Sequence, residues 1–131
     1  MVRDMHKSMG LAGFLLLSLL GDSVPAAAQT VRGAVQGLVT DVTGAAIGGA
    51  LVEVRSETSG FKAASRTDDV GWFVVNGIEP GTYLIDVSLD GFRRHVQPFT
   101  LHVNQRLRLD VPLQVGPVTE TITVEAPRST I

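Results

Sequence analysis

From Ala34 to Glu125, apolar and polar side chains alternate in short runs, and most runs are followed by a glycine. A period of two places every second side chain on one face of an extended backbone, whereas a helix repeats near 3.6 residues. The clearest run is Arg106 to Leu113, where Leu107, Leu109, Val111 and Leu113 oppose Arg106, Arg108 and Asp110. In Ala50 to Arg55 the alanine and valines suit a core, with Glu53 and Arg55 facing water. In Tyr83 to Leu89, Tyr83, Ile85, Val87 and Leu89 share one face, and Asp86 and Ser88 take the opposite, solvent face. Ala34 to Asp41 and Thr119 to Glu125 are two fainter strands. Phe61 to Thr67 and Trp72 to Val75 read as the arms of a hairpin. No stretch after Gln29 keeps a helical period.

The breaks between runs have turn chemistry. Thr43-Gly44, Ser59-Gly60, Asn76-Gly77, Pro80-Gly81 and Asp90-Gly91 each offer a glycine where positive φ is needed. Asp68-Asp69-Val70-Gly71 adds an aspartate able to bond its own backbone. The turns recur roughly every ten residues, which predicts an all-β, antiparallel β-sandwich of roughly seven or eight strands.

The front of the chain has a different character. Arg3 and Lys7 precede the apolar run Leu11 to Leu20, followed by Pro25 and the small residues Ala26-Ala27-Ala28. That order is expected of a secretory signal peptide over 1–28, cleaved after Ala28. The run is about half the ~20 residues that a transmembrane helix needs, so no membrane span is expected after cleavage. The domain is then expected at 33–115, with a strand or linker at 116–131 that is loose from about Pro127 onward. The net charge of −2 gives no reason to expect nucleic acid as a partner. The chain has no cysteine, which removes disulfides, thiolate chemistry and cysteine–zinc sites.

Four motifs in order carry a family resemblance. Gly37-Leu38-Val39-Thr40-Asp41, with Thr43-Gly44-Ala45 and Ile47 to Val52, looks like an opening strand, turn and second strand. Thr67-Asp68-Asp69-Val70-Gly71-Trp72-Phe73, then Pro80-Gly81-Thr82-Tyr83, then Asp90-Gly91-Phe92 complete the set. Together they resemble the carboxypeptidase regulatory-like domain, a transthyretin-like sandwich similar also to starch-binding domains. The resemblance implies structural roles for these residues. Asp68 and Gly71 would form a reversal, and Pro80 and Gly81 the two central positions of a type II turn. Phe73, Tyr83 and Phe92 would supply most of the aromatic core.

The resemblance also implies contexts. Such domains accompany some metallocarboxypeptidases, and they stand at the front of TonB-dependent outer-membrane receptors, directly after the signal peptide. Val118 to Ala126 looks like the lead-in to a receptor plug, where Ile122, Thr123 and Val124 would pair with TonB by strand addition. The same segment also reads as the last strand of the sandwich. No plug or barrel pattern is present, so a fragment of a longer receptor or a free-standing secreted copy is expected. The expected function is a non-catalytic binding or accessory module in the periplasm or at the outer membrane. A carbohydrate-binding module and a metallocarboxypeptidase regulatory domain are the alternatives.

Residues with catalytic or metal-binding chemistry are few and scattered after Gln29. His95 and His102 lack glutamates at metal-ligand spacing and are expected as surface imidazoles. No serine sits in a nucleophile elbow, so neither catalysis nor a metal or other cofactor is expected. Arg93, Arg94, Arg106 and Arg108 would form a small positive patch for an anionic sugar or partner if their strands were neighbours; otherwise they are solvated strand faces. Trp72, alternating with Phe73, is expected toward solvent, where an indole can stack on sugar.

Overall fold

The structure is a computed structural model that describes residues 31–125. The signal peptide expected at 1–28 and the loose tail expected from Pro127 fall outside the described residues.

Among the described residues nine strands follow one another without a helix: β1 (Gly33–Thr40), β2 (Leu51–Ser56), β3 (Lys62–Arg66), β4 (Trp72–Ile78), β5 (Gly81–Ser88), β6 (Arg94–Leu101), β7 (Arg106–Arg108), β8 (Val111–Pro112) and β9 (Thr121–Thr123). One sheet has the order β4-β1-β7, with β8 also on β1; the other runs β3-β2-β5-β6-β9. The expected β-sandwich is present. Val35, Val39, Phe73, Val75, Ile78, Val111 and Leu113 from the first sheet meet Val52, Val54, Tyr83, Ile85, Val87, Phe99 and Leu101 from the second in one buried cluster. Burying each such side chain contributes roughly 1.5–3 kcal/mol. The alternation of β1, β2 and β5 therefore reads directly onto the core.

Several details depart from what the sequence predicts. Neighbouring strands are not all antiparallel: β7 and β8 run parallel to β1, and β9 runs parallel to β6. The cause is topological, because the chain reverses between the sheets as well as within them. A strand that enters the opposite sheet in this way can lie parallel to its neighbour.

For the same reason Phe61–Thr67 and Trp72–Val75 are not a hairpin, since β3 pairs with β2 while β4 pairs with β1. The crossing is fixed by Thr67, whose buried hydroxyl donates to the Ile47 carbonyl (2.7 Å) and accepts from Ala50 N (2.9 Å). Asp68 and Gly71 do make the expected reversal. Asp68 Oδ1 accepts from Val70 N at 3.0 Å and Trp72 N at 2.8 Å, and Gly71 N donates to Asp68 O at 2.9 Å. Gly71 has φ 79°, and a Cβ there would lie 2.6 Å from Val39 O.

Arg106 to Leu113 is interrupted rather than continuous. Between β7 and β8 the Asp110 carboxylate replaces a backbone acceptor, taking the Leu38 N–H at 3.0 Å. That bond holds the Asp110 carboxyl below the usual carboxylate range, with a further contribution from Arg108 and opposition from burial. Asp41 is lowered likewise, first by the Thr43 hydroxyl and then by Ala45 N–H. A carboxyl depressed in the folded state adds stability above its unfolded pKa of ~3.9, and loses it as pH falls through the lower folded value. Urea midpoints are expected to change little from pH 7 to about pH 5 on this account and to drop below about pH 4. The double variant Asp41→Asn/Asp110→Asn should show a shallower drop; an unchanged acid limb would remove these carboxyls from the explanation.

The Pro80-Gly81 corner also differs from the expected type II turn. Gly81 has φ 157° rather than a value near +80°, and it already pairs with Leu101 as the first residue of β5. Tyr83 explains the motif: its ring lies 3.6 Å from the position of a Gly81 Cβ, and its hydroxyl donates to the Glu79 carbonyl at 2.5 Å. Burial raises the Tyr83 pKa, with Glu79 adding to the effect. Phe73 and Tyr83 are buried as expected, but Phe92, beside Gly91 (φ 88°), is only partly so. Phe99 stacks on Tyr83 at 5.6 Å between centroids and Phe61 meets its edge at 5.7 Å, so these two complete the aromatic core.

Candidate functional site

On the outer face of the five-stranded sheet Lys62 pairs with Glu53 and two arginines pair with Asp86, while Arg66 donates to the Gly49 carbonyl. Asp86, expected in water, is 3% exposed because two arginines cover it. Arg94 holds it with both Nε (2.7 Å to Oδ1) and Nη2, and Arg55 Nη1 approaches to 3.6 Å. The bond to Asp86 raises the Arg94 pKa further above its ordinary value. Asp86→Ala should cost about 1–2 kcal/mol in chemical denaturation, since a charge-assisted bond is lost but its arginines are partly solvated. A shift below experimental error would mean that the trio is electrostatically idle.

The four arginines singled out above do not form one patch. Arg94 is committed to Asp86, and Arg93 lies against Glu120 at 2.8 Å, although its Nε makes no aligned hydrogen bond. Arg106 and Arg108 stand on β7 in the other sheet, where Arg108 pairs with Asp110 at 3.1 Å. Trp72 is only half-exposed, and the Arg108 guanidinium lies 5.5 Å from the centre of its ring. One face of the indole is thus engaged in a cation–π contact. His95 is buried rather than on the surface, with Nε2 3.2 Å from Gln97 Oε1, because it lies in register with core-facing Val87; His102 is exposed. Among the described residues no group of three His, Cys, Asp or Glu is placed to hold a metal ion.

The remaining feature is the edge formed by β9. Its register on β6 is Arg94↔Thr121, His95↔Ile122 and Val96↔Thr123. The strand is framed by Arg94 N–H to Glu120 O (2.9 Å) and Val124 N–H to Val96 O (2.8 Å). Successive peptide groups of a strand point to opposite edges. Glu120 and Val124 address β6, so Thr121 and Thr123 present their N–H and C=O groups to the outer edge. Among the described residues β9 pairs with β6 alone. Both threonines are exposed, and Ile122 and Val124 are half-buried. The run leading to β9 is clasped to the sandwich by Arg93 N to Gln114 O at 2.8 Å and Gly116 N to Gly91 O at 3.1 Å. Ile122, Thr123 and Val124 are thus brought together at a sheet edge. Trp72, Arg93 and Arg94 do not converge on one site.

Residues 34–114 match the family described as the carboxypeptidase regulatory-like domain. The chain belongs to that family. The match to the carboxypeptidase regulatory-like domain stops in the segment after β8, so β9 lies outside the matched residues while pairing with β6. Its fold is similar to part of the Bacillus anthracis TIE protein (19% identity, TM-score 0.56), covering 65% of this chain and 17% of that one. It is similar also to hydroxyquinol 1,2-dioxygenase from Pseudomonas putida DLL-E4 (11%, 0.55; 66% and 57% covered) and to a streptococcal ancillary pilin (24%, 0.55; 67% and 30% covered). The chain spans 57% or less of each of these three proteins. At these identities the likeness concerns the fold. No curated protein matches the chain.

Proposed function

We propose that this carboxypeptidase regulatory-like domain is a non-catalytic accessory module of an exported protein, standing ahead of the plug of a TonB-dependent outer-membrane receptor. The observation that supports this reading is the outer edge of β9. A strand with one free edge offers main-chain donors and acceptors to an extended partner, and affinity then comes from backbone pairing. The chain around Ile122, Thr123 and Val124 has both features that such pairing uses: an extended backbone and, among the described residues, hydrogen-bonding groups on its outer edge without a strand partner. The partner under this reading is the periplasmic part of TonB, and the compartment is the periplasmic side of the outer membrane. Its sandwich would act as the anchor that keeps β9 extended.

Thr123→Pro tests the idea cleanly. It removes an outward N–H while leaving the Val124 bond to β6 in place, so the sandwich should still fold. In titration with the purified periplasmic part of TonB, wild type should bind and Thr123→Pro should bind about tenfold more weakly or less, as loss of a pairing hydrogen bond at an edge implies. Equal affinity of the two proteins, or no binding by either, would reject strand addition at this edge.

A further inference from the structure

At the end of the sandwich remote from the Asp68–Gly71 reversal, a depression of about 250 Å³ opens on the four-stranded sheet. Its floor is Ala34, in register between Asn76 of β4 and Arg106 of β7. Arg32, Gly77 and Asn104 form its rim. The small floor matters because larger side chains at that position of β1 would fill the space between the flanking strands. A register shift between Gly33 and Ala34, which leaves Gly77 of β4 unpaired, bends the strand pair at this point.

The chemistry of the lining is one-sided. Arg32 and Arg106 both line this concavity and no carboxylate does, although Arg32 also borders the adjoining depression that holds Glu79. Among the described residues Arg106 has no ion-pair partner, and Arg32 has only a 3.9 Å approach to Glu79, with both side chains more than half exposed. A hollow walled by protein concentrates such a field, and planar guanidinium groups match an oxyanion through paired N–H donors. The overall charge of the chain is −2, so this positive spot is local. Asn76 and Asn104 add neutral amides that can both donate to and accept from hydroxyl groups. Asn104 is also the one described non-glycine residue with positive φ, at 56°. The turn holds it there by Gln105 N–H to His102 O at 3.2 Å and His102 N–H to Gln105 Oε1 at 2.9 Å. Glycine adopts that conformation without strain, so what asparagine adds at the rim is its amide.

We infer that this depression binds an acidic sugar, with Arg32 and Arg106 taking the carboxylate and Asn76 and Asn104 the ring hydroxyls. The volume lies below the ~300–1,000 Å³ of sites for larger ligands, so it accepts a single ring and leaves the rest of a chain outside. This site is separate from β9, and it requires nothing of the proposed coupling to TonB.

The test is a titration of the isotope-labelled full chain, followed by backbone amide shifts, with digalacturonate, a neutral galactose disaccharide and inorganic phosphate as probes. Digalacturonate should shift the amides of Ala34, Asn76, Gly77, Asn104 and Arg106, and the neutral disaccharide should not. Arg106→Glu, an exposed position whose folding is checked by its melting curve, should weaken binding about tenfold or more. Asn104→Gly should weaken digalacturonate while preserving the fold. Thr123→Pro should leave this binding unchanged. Shifts given by phosphate alone, equal shifts with the neutral sugar, or digalacturonate binding that survives Arg106→Glu would each overturn the assignment.

Discussion

Replacing Gly37 by alanine is expected to cost about 3 kcal/mol or more, because it forces two backbones apart. A Cβ on Gly37 would lie 1.8 Å from the Leu109 carbonyl oxygen and 2.6 Å from its carbon. Neither atom belongs to a side chain that can rotate away. Relief requires Leu109 and Asp110 to leave β1, which breaks Leu109 N–H to Gln36 O (2.8 Å) and Leu38 N–H to Asp110 Oδ1 (3.0 Å). It also loosens Val111 and Leu113, both fully buried. A small domain is stable by roughly 5–15 kcal/mol, so the loss takes a large share of the whole. Gly44→Ala is the control: Gly44 has φ 88°, but nothing lies within 4 Å of its added Cβ. It should cost only about 1 kcal/mol of left-handed strain. Urea unfolding of both variants checks the comparison, and equal midpoints would refute the close approach.

Tyr83→Ala should cost about 3–5 kcal/mol, the range for large-to-small changes in a core. Tyr83 is 4% exposed and joins three things at once. Its ring stacks on Phe99, receives the edge of Phe61, and carries the hydroxyl that closes the corner at Glu79. Tyr83→Phe separates these roles, keeping the ring and losing only the hydrogen bond, at about 1 kcal/mol. Denaturant midpoints of the two variants should therefore differ widely. Similar losses in both would assign the residue's importance to the corner and not to the ring.

The parts of the fold legible in the sequence were those governed by short-range periodicity. Val52 and Val54, or Tyr83, Ile85 and Val87, announce a buried face because a strand repeats every two residues. Asp68 and Gly71 announce a reversal because side-chain bonding and positive φ are local demands. Periodicity carries no information on which strands meet, so it predicts a hairpin at the same reversal although the chain passes there between sheets. It also could not show that Arg94 and Arg55, from flanking strands, would close over Asp86 and bury it. His95 is buried for a reason that is likewise not local. Composition treats an imidazole as a surface group, and only its register opposite Val87 reveals that it faces inward. Gln97, two residues on, offers the polar partner that makes this burial tolerable.

The site was less legible than the fold. Arg106 was visible in the sequence, but as a companion of Arg93, Arg94 and Arg108, which the topology distributes over two sheets. Of its actual neighbours in the depression, Arg32 and Asn76 are distant in the chain, and Asn104, two residues before it, shares no motif with them. The β9 segment was legible as extended, and its two readings are compatible: among the described residues it is the edge strand of the sandwich, and no strand pairs with its outer edge.

Photo-crosslinking in living cells tests the role of that edge most directly. A photoreactive residue at Thr123, on the free edge of β9, should yield an adduct with TonB, and one at Thr82, exposed on central β5, should not. Adducts from Thr82 equal to those from Thr123, or no TonB adduct from Thr123, would contradict partner contact through β9.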